Sequence, residues 1–155
     1  MNHVQGRSYR KGKNMSDKTV KEIMSKDVEV VSPDASLHTV AKKMHHRDCG
    51  SVVVVKDDRL VGMITDRDIA LRCVAKEHDP AGTTAGEIMT PEILYCRDTD
   101  TADDVARNMG KNKVRRLPVL DANKRLVGMV TLGDLSSHTN HKLCGQVLGE
   151  ICRAE

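Results

Sequence analysis

Two pairs of side chains, repeated along the chain, have the types and spacing that could hold a sugar and a phosphate. Thr65 and Asp68 end one copy of the pattern G-x-x-T-x-x-D, and Thr131 and Asp134 end another. The same spacing is that of a helix capping box, in which both side chains satisfy backbone N–H groups. A carboxylate can also accept hydrogen bonds from vicinal hydroxyls, and a helix start presents N–H groups to an anion. Two interpretations are therefore open, a structural cap and a nucleotide site.

Two neighbouring features favour the nucleotide site. Gly62 and Gly128 precede the threonines by three residues, and glycine allows a ligand to approach the backbone closely. Arg115 and Arg116 lie in the strand predicted beside the second pair. Arginine suits phosphate because its guanidinium donates hydrogen bonds in a fixed planar fork. A diol acceptor, a phosphate clamp and a helix start together describe a nucleoside phosphate.

The elements that carry these residues occur twice. A shift of 65 residues aligns the letters EIM at 22–24 with EIM at 87–89, and further apolar positions between residues 40 and 54 follow the same shift. One extra residue near 123–125 changes the shift to 66, after which residues 60–68 match residues 126–134. The chain therefore consists of two copies of one supersecondary unit.

The order of elements predicted for each copy is β-α-β-β-α. Short runs of apolar residues indicate strands, and apolar residues at helical spacing indicate the helices between them. The predicted strands are 28–31, 51–57 and 60–65 in the first copy and 93–96, 116–124 and 126–131 in the second. The predicted helices are 37–44 and 66–75 in the first copy and 102–109 and 132–138 in the second.

Composition shifts divide the chain into five predicted segments. These are a disordered basic arm (1–18), a first unit (19–75), a linker (76–85), a second unit (86–139) and a C-terminal helix (140–155). Residues 1–26 hold seven Lys or Arg against two Asp or Glu, although the whole chain has a net charge of only +3. The arm is therefore the basic part of the chain and lacks an apolar period. The last helix carries an apolar stripe that must pack on the core or on a partner chain, formed by Leu143, Val147, Leu148 and Ile151.

Composition also argues against several classes of protein. Aromatic residues make up 1% of the 155 residues, which predicts an aliphatic core and no sequence-specific binding to nucleic acid, since stacking platforms are lacking. The five cysteines are odd in number and never spaced C-x-x-C, which argues against a disulfide framework or a zinc knuckle and predicts reduced thiols. No run has the length of a membrane span or the pattern of a signal peptide. We expect a cytoplasmic protein without membrane contact.

Tandem β-α-β-β-α copies that each end in G-x-x-T-x-x-D resemble the CBS domain family, named for cystathionine β-synthase. The resemblance covers residues 19 to about 139 and rests on the tandem copy, the EIM openings, the VRRLPV and LVG strands and the T-x-x-D helix starts. The chain is similar to small stand-alone bacterial members that carry TDRDI in the first copy. The resemblance implies an α/β (α+β) fold with two copies related by a pseudo-twofold axis, their two small sheets packed together with flanking helices.

The resemblance further implies two clefts for an adenosine-containing ligand, namely AMP, ADP, ATP, S-adenosylmethionine or NAD(H), with no required cofactor. Carried over residue by residue, the threonines of the motif hold phosphate and the aspartates hold ribose. Arg115 and Arg116 contact phosphate in the second copy, where the first copy has Gly50 and Ser51. Arg67 could compensate for that loss. The full predicted set is Ser25, Thr65, Arg67, Asp68, Thr90, Arg115, Arg116, Thr131, Gly133 and Asp134.

The two clefts are predicted to differ in affinity. Because only the second copy has the arginine pair, we expect its cleft to bind a phosphorylated adenosine more tightly. One alternative stays open, since the pseudo-twofold geometry could turn Arg116 toward the cleft of Asp68 instead.

The sequence predicts a regulator rather than an enzyme. No activated Ser or Cys, Walker loop or carboxylate cluster is visible, and His138 and His141 have no third partner for a metal. We expect a ligand-sensing module that signals to an unidentified effector protein through a homodimer. Its predicted dimer face comprises Ile69, Ala70, Cys73 and Val74, with a shorter stripe beginning at Leu135. The alternative is a structural or interaction protein with vestigial nucleotide clefts.

Overall fold

Two equivalent α/β units make up the part of the chain that the computed structural model describes, residues 17–153. The predicted disordered arm falls outside the described residues, apart from Asp17 and Lys18. By sequence, the first repeat comprises α1 (Val20–Ile23), β1 (Val30–Val31), α2 (Leu37–Arg47), β2 (Ser51–Lys56), β3 (Arg59–Thr65), α3 (Asp66–Arg72) and a 3-10 turn (Val74–Lys76). The second comprises α4 (Ala85–Ile88), β4 (Thr90–Pro91), β5 (Cys96–Arg97), α5 (Ala102–Asn112), β6 (Arg116–Leu120), β7 (Leu126–Thr131), α6 (Leu132–Ser136) and α7 (His141–Cys152).

The long helices begin where the sequence predicts them. The Ser36 hydroxyl accepts a hydrogen bond from the Thr39 N–H at the start of α2, and the Thr101 hydroxyl accepts one from Asp104 at the start of α5. Such caps satisfy backbone donors that have no partner inside the helix. Local side-chain chemistry therefore sets both helix starts.

The predicted strand 93–96 is displaced in the structure. Only Cys96 belongs to β5, which continues to Arg97 and pairs in parallel with β6 through Cys96–Val119 and Arg97–Leu120. The residues before it follow a turn at Glu92, whose φ is 53°, and Leu94 packs against the core of the second unit instead of pairing. The apolar run indicated burial correctly but not strand pairing.

Each unit has an antiparallel hairpin flanked by a parallel strand. The first sheet has the order β1-β2-β3-β4 and the second the order β5-β6-β7. The outer strand β4 belongs to the second repeat by sequence, yet it pairs with β3 of the first through Met63 and Thr90. The reciprocal contact is a bridge between Ser25 of the first repeat and Met129 of the second. The repeats are thus interlocked by segments that each sends to the other.

The short opening helices follow the same exchange. Val20 and Ile23 of α1 are buried in the core of the second unit. Ala85 and Ile88 of α4 are buried in the core of the first. Because each repeat contributes the same helix to the other, the two units are related by a pseudo-twofold axis, as the sequence resemblance implies.

Both opening helices are fixed by capping boxes. The Glu22 carboxylate accepts hydrogen bonds from the Thr19 N–H and hydroxyl, and the Glu87 carboxylate accepts the equivalent pair from Thr84. The backbone hydrogen bond is the largest cause that lowers the pKa of each glutamate below its usual value. Their contribution to stability is therefore present above the ordinary glutamate pKa and is lost as the pH falls through the lowered value.

Helix α7 makes the units unequal, because it covers α5 and has no counterpart on α2. Ala106 of α5 is fully buried, whereas Ala41 at the equivalent position of α2 is exposed. Val147 is buried and Leu143 and Ile151 pack beside it, as the predicted stripe requires. Leu148 is the exception, 49% exposed, because it lies about 100° around the helix from Val147. None of the helices within residues 17–153 has the length and apolarity to cross a bilayer.

The cysteines are expected to differ sharply in reactivity. Burial is the main cause that raises the pKa of the Cys96 thiol to about 12, and a thiol reacts as its thiolate. Cys73 is also fully buried, whereas Cys152 is exposed on α7. We predict that iodoacetamide labels Cys152 in the folded protein, and Cys73 and Cys96 only after denaturant is added. Peptide mass mapping of the labelled protein checks this, and rapid labelling of Cys96 without denaturant would contradict it.

Candidate functional site

The two T-x-x-D motifs form capping boxes of nearly identical geometry. In the first unit, Asp68 Oδ2 accepts hydrogen bonds from the Thr65 N–H and hydroxyl, both at 2.9 Å. In the second, Asp134 Oδ2 accepts the equivalent pair from Thr131 at 2.8 and 2.7 Å. Each box uses one carboxylate oxygen only. The structural interpretation of the motif is therefore correct, and in each aspartate Oδ1 takes no part in the cap.

The second oxygen is in a different environment in the two units. Asp68 Oδ1 lies 3.4 Å from Arg72 Nη2, one helical turn further along α3. The same arginine donates through Nη1 to the Ile88 carbonyl at 2.8 Å and to the Thr90 hydroxyl at 3.1 Å. Arg72 therefore ties the first cap to the segment that arrives from the second repeat. Sequence reasoning missed this residue, although its spacing of four from Asp68 on a helix signals an ion pair.

Asp134 has no ion pair within residues 17–153. His138 takes the place of Arg72 in the second repeat, and its Nδ1 lies 3.3 Å from Lys18 Nζ. The half-buried Asp134 carboxylate thus makes only the hydrogen bonds of its own cap. Its Oδ1 is available to accept hydrogen bonds from a ligand.

The structure revises the interpretation of the motif glycines. A Cβ on Gly62 would lie 2.5 Å from Met89 Sδ, and one on Gly128 would lie 2.5 Å from Met24 Sδ and 2.8 Å from the Ser25 carbonyl oxygen. The space left by the missing side chain of each glycine is therefore filled by the segment that comes from the other repeat. The expectation that these glycines admit a ligand was wrong, because protein backbone and methionine side chains occupy that position.

Arg116 lies between the two units. It is paired with Thr131 across the hairpin, as Ser51 is paired with Thr65. Arg116 Nη1 donates to Ser51 Oγ at 2.8 Å, so the guanidinium crosses to the first unit. This hydrogen bond has the direction of the alternative stated above, in which Arg116 turns toward the first unit. Which cleft Arg116 serves stays a prediction.

The remaining predicted residues lie at varying distances from the caps. Arg115 is exposed, and its Nη2 lies 4.0 Å from Cys152 Sγ on α7. Arg67 and Gly133 are exposed at the second residue of α3 and α6. Ser25 lies on the bridge to Met129, beside the second cap. Their roles in binding stay predictions.

Two cavities lie near these elements. One of about 330 Å³ shares Arg72 with the first cap and is otherwise lined by Lys76, His78, Thr83, Glu87 and Ile88. The other, of about 520 Å³, lies between the two hairpin turns and is lined by Asp57, Asp58, Arg59, Asn123, Lys124 and Arg125. Neither is lined by a residue of the two T-x-x-D caps. Within residues 17–153, no group of three or more His, Cys, Asp or Glu side chains is placed to hold a metal ion.

Comparison with known proteins gives consistent matches. The CBS domain family model matches residues 20–74 and 85–140. The CBS domain-containing protein YhcV of Bacillus subtilis is 36% identical over 134 residues, which cover 86% of this chain and 94% of that protein.

Solved structures support the same fold. CBSX2 in complex with AMP superposes with a TM-score of 0.66 at 29% identity, over 77% of this chain and 93% of that one. The CBS domain pair of protein MJ0100, in complex with methylthioadenosine and S-adenosyl-L-methionine, gives a TM-score of 0.69 at 31% identity, over 77% and 94%. Hypoxic Response Protein I with two coordinated zinc ions gives a TM-score of 0.71 at 35% identity, over 79% and 100%.

Proposed function

The chain belongs to the CBS domain family as a tandem pair, and on that premise we propose that it is a regulatory module for adenosine-containing nucleotides. The ligand binds in clefts beside the Thr65 and Thr131 caps. The binding state is transmitted to an effector protein through the arrangement of a homodimer. The chain acts by binding and not by catalysis.

The carboxylate of Asp134 carries this proposal. Its Oδ2 is held by the Thr131 cap, which fixes the orientation of the group, and its Oδ1 has no protein partner within residues 17–153. A carboxylate oriented in this way can accept hydrogen bonds from both hydroxyls of a ribose, and hydrogen bonds to a charged group are the stronger kind. Arg116 is paired with Thr131 across the hairpin, and its guanidinium, which donates a hydrogen bond to Ser51, supplies a cation for phosphate.

The candidate ligands follow from this chemistry and from the neighbouring structures. AMP, methylthioadenosine and S-adenosylmethionine are bound by two of the structures that share this fold, and all three contain adenosine. We propose AMP, ADP, ATP, S-adenosylmethionine and NAD(H) as the set to test. The second cleft suits the phosphorylated members, and the first suits a less charged ligand because Arg72 already engages Asp68.

The test is a calorimetric titration of protein stripped of small molecules. We expect at least one adenosine-containing ligand to bind saturably and GMP to bind more weakly. Mass spectrometry of molecules released from protein purified without added nucleotide identifies the ligand independently. If no adenosine-containing compound binds, the clefts are vestigial and the structural or interaction role replaces the sensing role.

The proposed dimer uses a face that differs in part from the predicted one. Cys73, the residue after α3, is fully buried, and Ile69 of α3 packs against the same core of the first unit. In and directly after α3, the large apolar residues that are exposed are Leu71 at 49% and Val74 at 62%. The predicted face therefore shifts around the helix, to Ala70, Leu71 and Val74.

Replacing Leu71 by glutamate is expected to convert the dimer to a monomer, because a charge on a desolvated face has no partner. Light scattering at micromolar concentration measures the change. Leu148→Glu on α7 is the matched control, since Leu148 is equally exposed, and we expect it to leave the mass unchanged. A monomeric unsubstituted protein, or equal dissociation by both substitutions, contradicts this face.

A further inference from the structure

Arg116 and Ser51 stand at equivalent positions of the two repeats. Each is the first residue of the strand that lies between the parallel strand and its hairpin partner, and each pairs across the hairpin with the threonine of its own cap. The hydrogen bond of 2.8 Å from Arg116 Nη1 to Ser51 Oγ therefore joins two residues that the pseudo-twofold axis exchanges. Residues exchanged by an axis touch only where they lie beside it. The guanidinium is thus located at the axis, between the two caps.

The guanidinium faces both caps for a simple geometric reason. Cross-strand partners project from the same face of a sheet, so Arg116 shares a face with Thr131, and Ser51 shares a face with Thr65. The hydrogen bond between Arg116 and Ser51 brings these two faces together. One cation consequently lies next to the cap threonine of each repeat.

Most of the hydrogen-bond donors of the Arg116 side chain have no partner within residues 17–153. An arginine side chain carries five N–H donors, and within residues 17–153 its side chain makes only the hydrogen bond to Ser51 and no ion pair. Arg72, a second cation near the first cap, is already engaged by Asp68, Thr90 and the Ile88 carbonyl. Because Arg116 is half-buried, water screens its interaction with a phosphate less than it would at the surface.

We propose that Arg116 is a phosphate-binding residue shared by both clefts, and that phosphorylated ligands in the two clefts therefore bind with negative cooperativity. This inference rests on the proposed nucleotide function. A first phosphate engages the guanidinium and neutralises it, so a second phosphate meets a smaller positive field and the negative charge of the first. Adenosine has no phosphate, and its two binding events stay independent.

The test isolates each cleft by removing the opposite aspartate. Asp68→Ala leaves the second cleft intact, and Asp134→Ala leaves the first cleft intact. AMP and adenosine are titrated by calorimetry into each of these two variants. Adding Arg116→Ala should weaken AMP about 10-fold or more in both backgrounds, the loss expected for one charge-assisted hydrogen bond, and should leave adenosine unchanged. Arg125→Ala removes the same charge from the distant hairpin turn and should affect neither ligand.

The unsubstituted protein supplies the second readout. Its second AMP should bind about 10-fold more weakly than AMP binds to the isolated first cleft. Arg116→Ala should reduce that difference to what the repulsion between the two phosphates alone produces. If alanine at 116 prevents folding, Arg116→Gln retains a donor toward Ser51 while it removes the charge. Three results would each contradict a guanidinium shared by both clefts. The first is a loss of AMP affinity in only one of the two backgrounds. The others are the absence of AMP binding to Asp134→Ala at millimolar AMP, and two AMP sites that bind independently in the unsubstituted protein. Absence of all adenosine-type binding overturns the proposed function itself.

Discussion

Replacing Asp134 by alanine is expected to weaken the binding of a phosphorylated adenosine by roughly 10- to 150-fold. That range corresponds to the loss of one charge-assisted hydrogen bond, worth about 1.5–3 kcal/mol. The effect is large because Asp134 Oδ1 makes no ion pair within the described residues and so meets the ribose hydroxyls without first breaking a protein contact. Calorimetry with AMP and ATP measures the change.

Asp68→Ala is the matched control for this prediction. It removes the same capping box from the equivalent helix, which costs about 1 kcal/mol of stability in either unit, and it also removes the half-exposed ion pair with Arg72. It should reduce AMP binding far less, because the Asp68 carboxylate is already paired with Arg72 at 3.4 Å. A larger loss of affinity from Asp68→Ala than from Asp134→Ala contradicts the assignment of the tighter site to the second cleft.

Local patterns explain why much of the fold could be predicted. The starts of α2 and α5, the hairpin strands β3 and β7, and the caps at Thr65 and Thr131 all follow from residues within one or two turns of one another. Apolar period and capping chemistry act over that range. Because the unit occurs twice, the same local pattern predicts each element independently in both copies.

The exchange of segments between the repeats could not be predicted in the same way. The letters EIM and LVGM occur in both copies, so the sequence permits the opening segment to pair within its own repeat or with the other. The observed bridge joins Ser25 to Met129, a separation at which no local pattern operates. For the same reason the motif glycines were assigned to a ligand, when the neighbour they accommodate is the exchanged segment.

The candidate site likewise combines features that depend on local sequence with features that depend on how the two repeats pack together. The two caps and their aspartates were predictable because both depend on a spacing of three residues. The direction of Arg116 was not, since it depends on where the pseudo-twofold axis falls, and the sequence left both directions open. The difference between Asp68 and Asp134 arises from a single position, occupied by Arg72 in one repeat and His138 in the other. The sequence indicates an ion pair at i,i+4 spacing in the first repeat, between Asp68 and Arg72, but not in the second, where the equivalent residue is His138.

Gly128→Ala is expected to destabilise the protein by about 1–3 kcal/mol, the usual cost of forcing extra atoms into a packed region. The added Cβ would lie 2.8 Å from the Ser25 carbonyl oxygen, and this backbone atom belongs to the segment bridged to Met129, so it cannot move without breaking that bridge. The added Cβ would also meet Met24 Sδ, but a methionine side chain can shift. Chemical denaturation measures the change in unfolding free energy.

Gly145→Ala is the control for the same substitution in open space. Nothing lies within 4 Å of a Cβ at Gly145, and the residue is inside α7, where alanine is favoured over glycine by about 0.5–1 kcal/mol. The two substitutions should therefore change stability in opposite directions. Gly62→Ala, which would meet the Thr90 carbonyl oxygen at 3.0 Å, should follow Gly128→Ala because the exchange is reciprocal. If Gly128→Ala and Gly145→Ala change the unfolding free energy equally, the exchanged segment accommodates an added methyl group without cost. The motif glycines would then need another explanation.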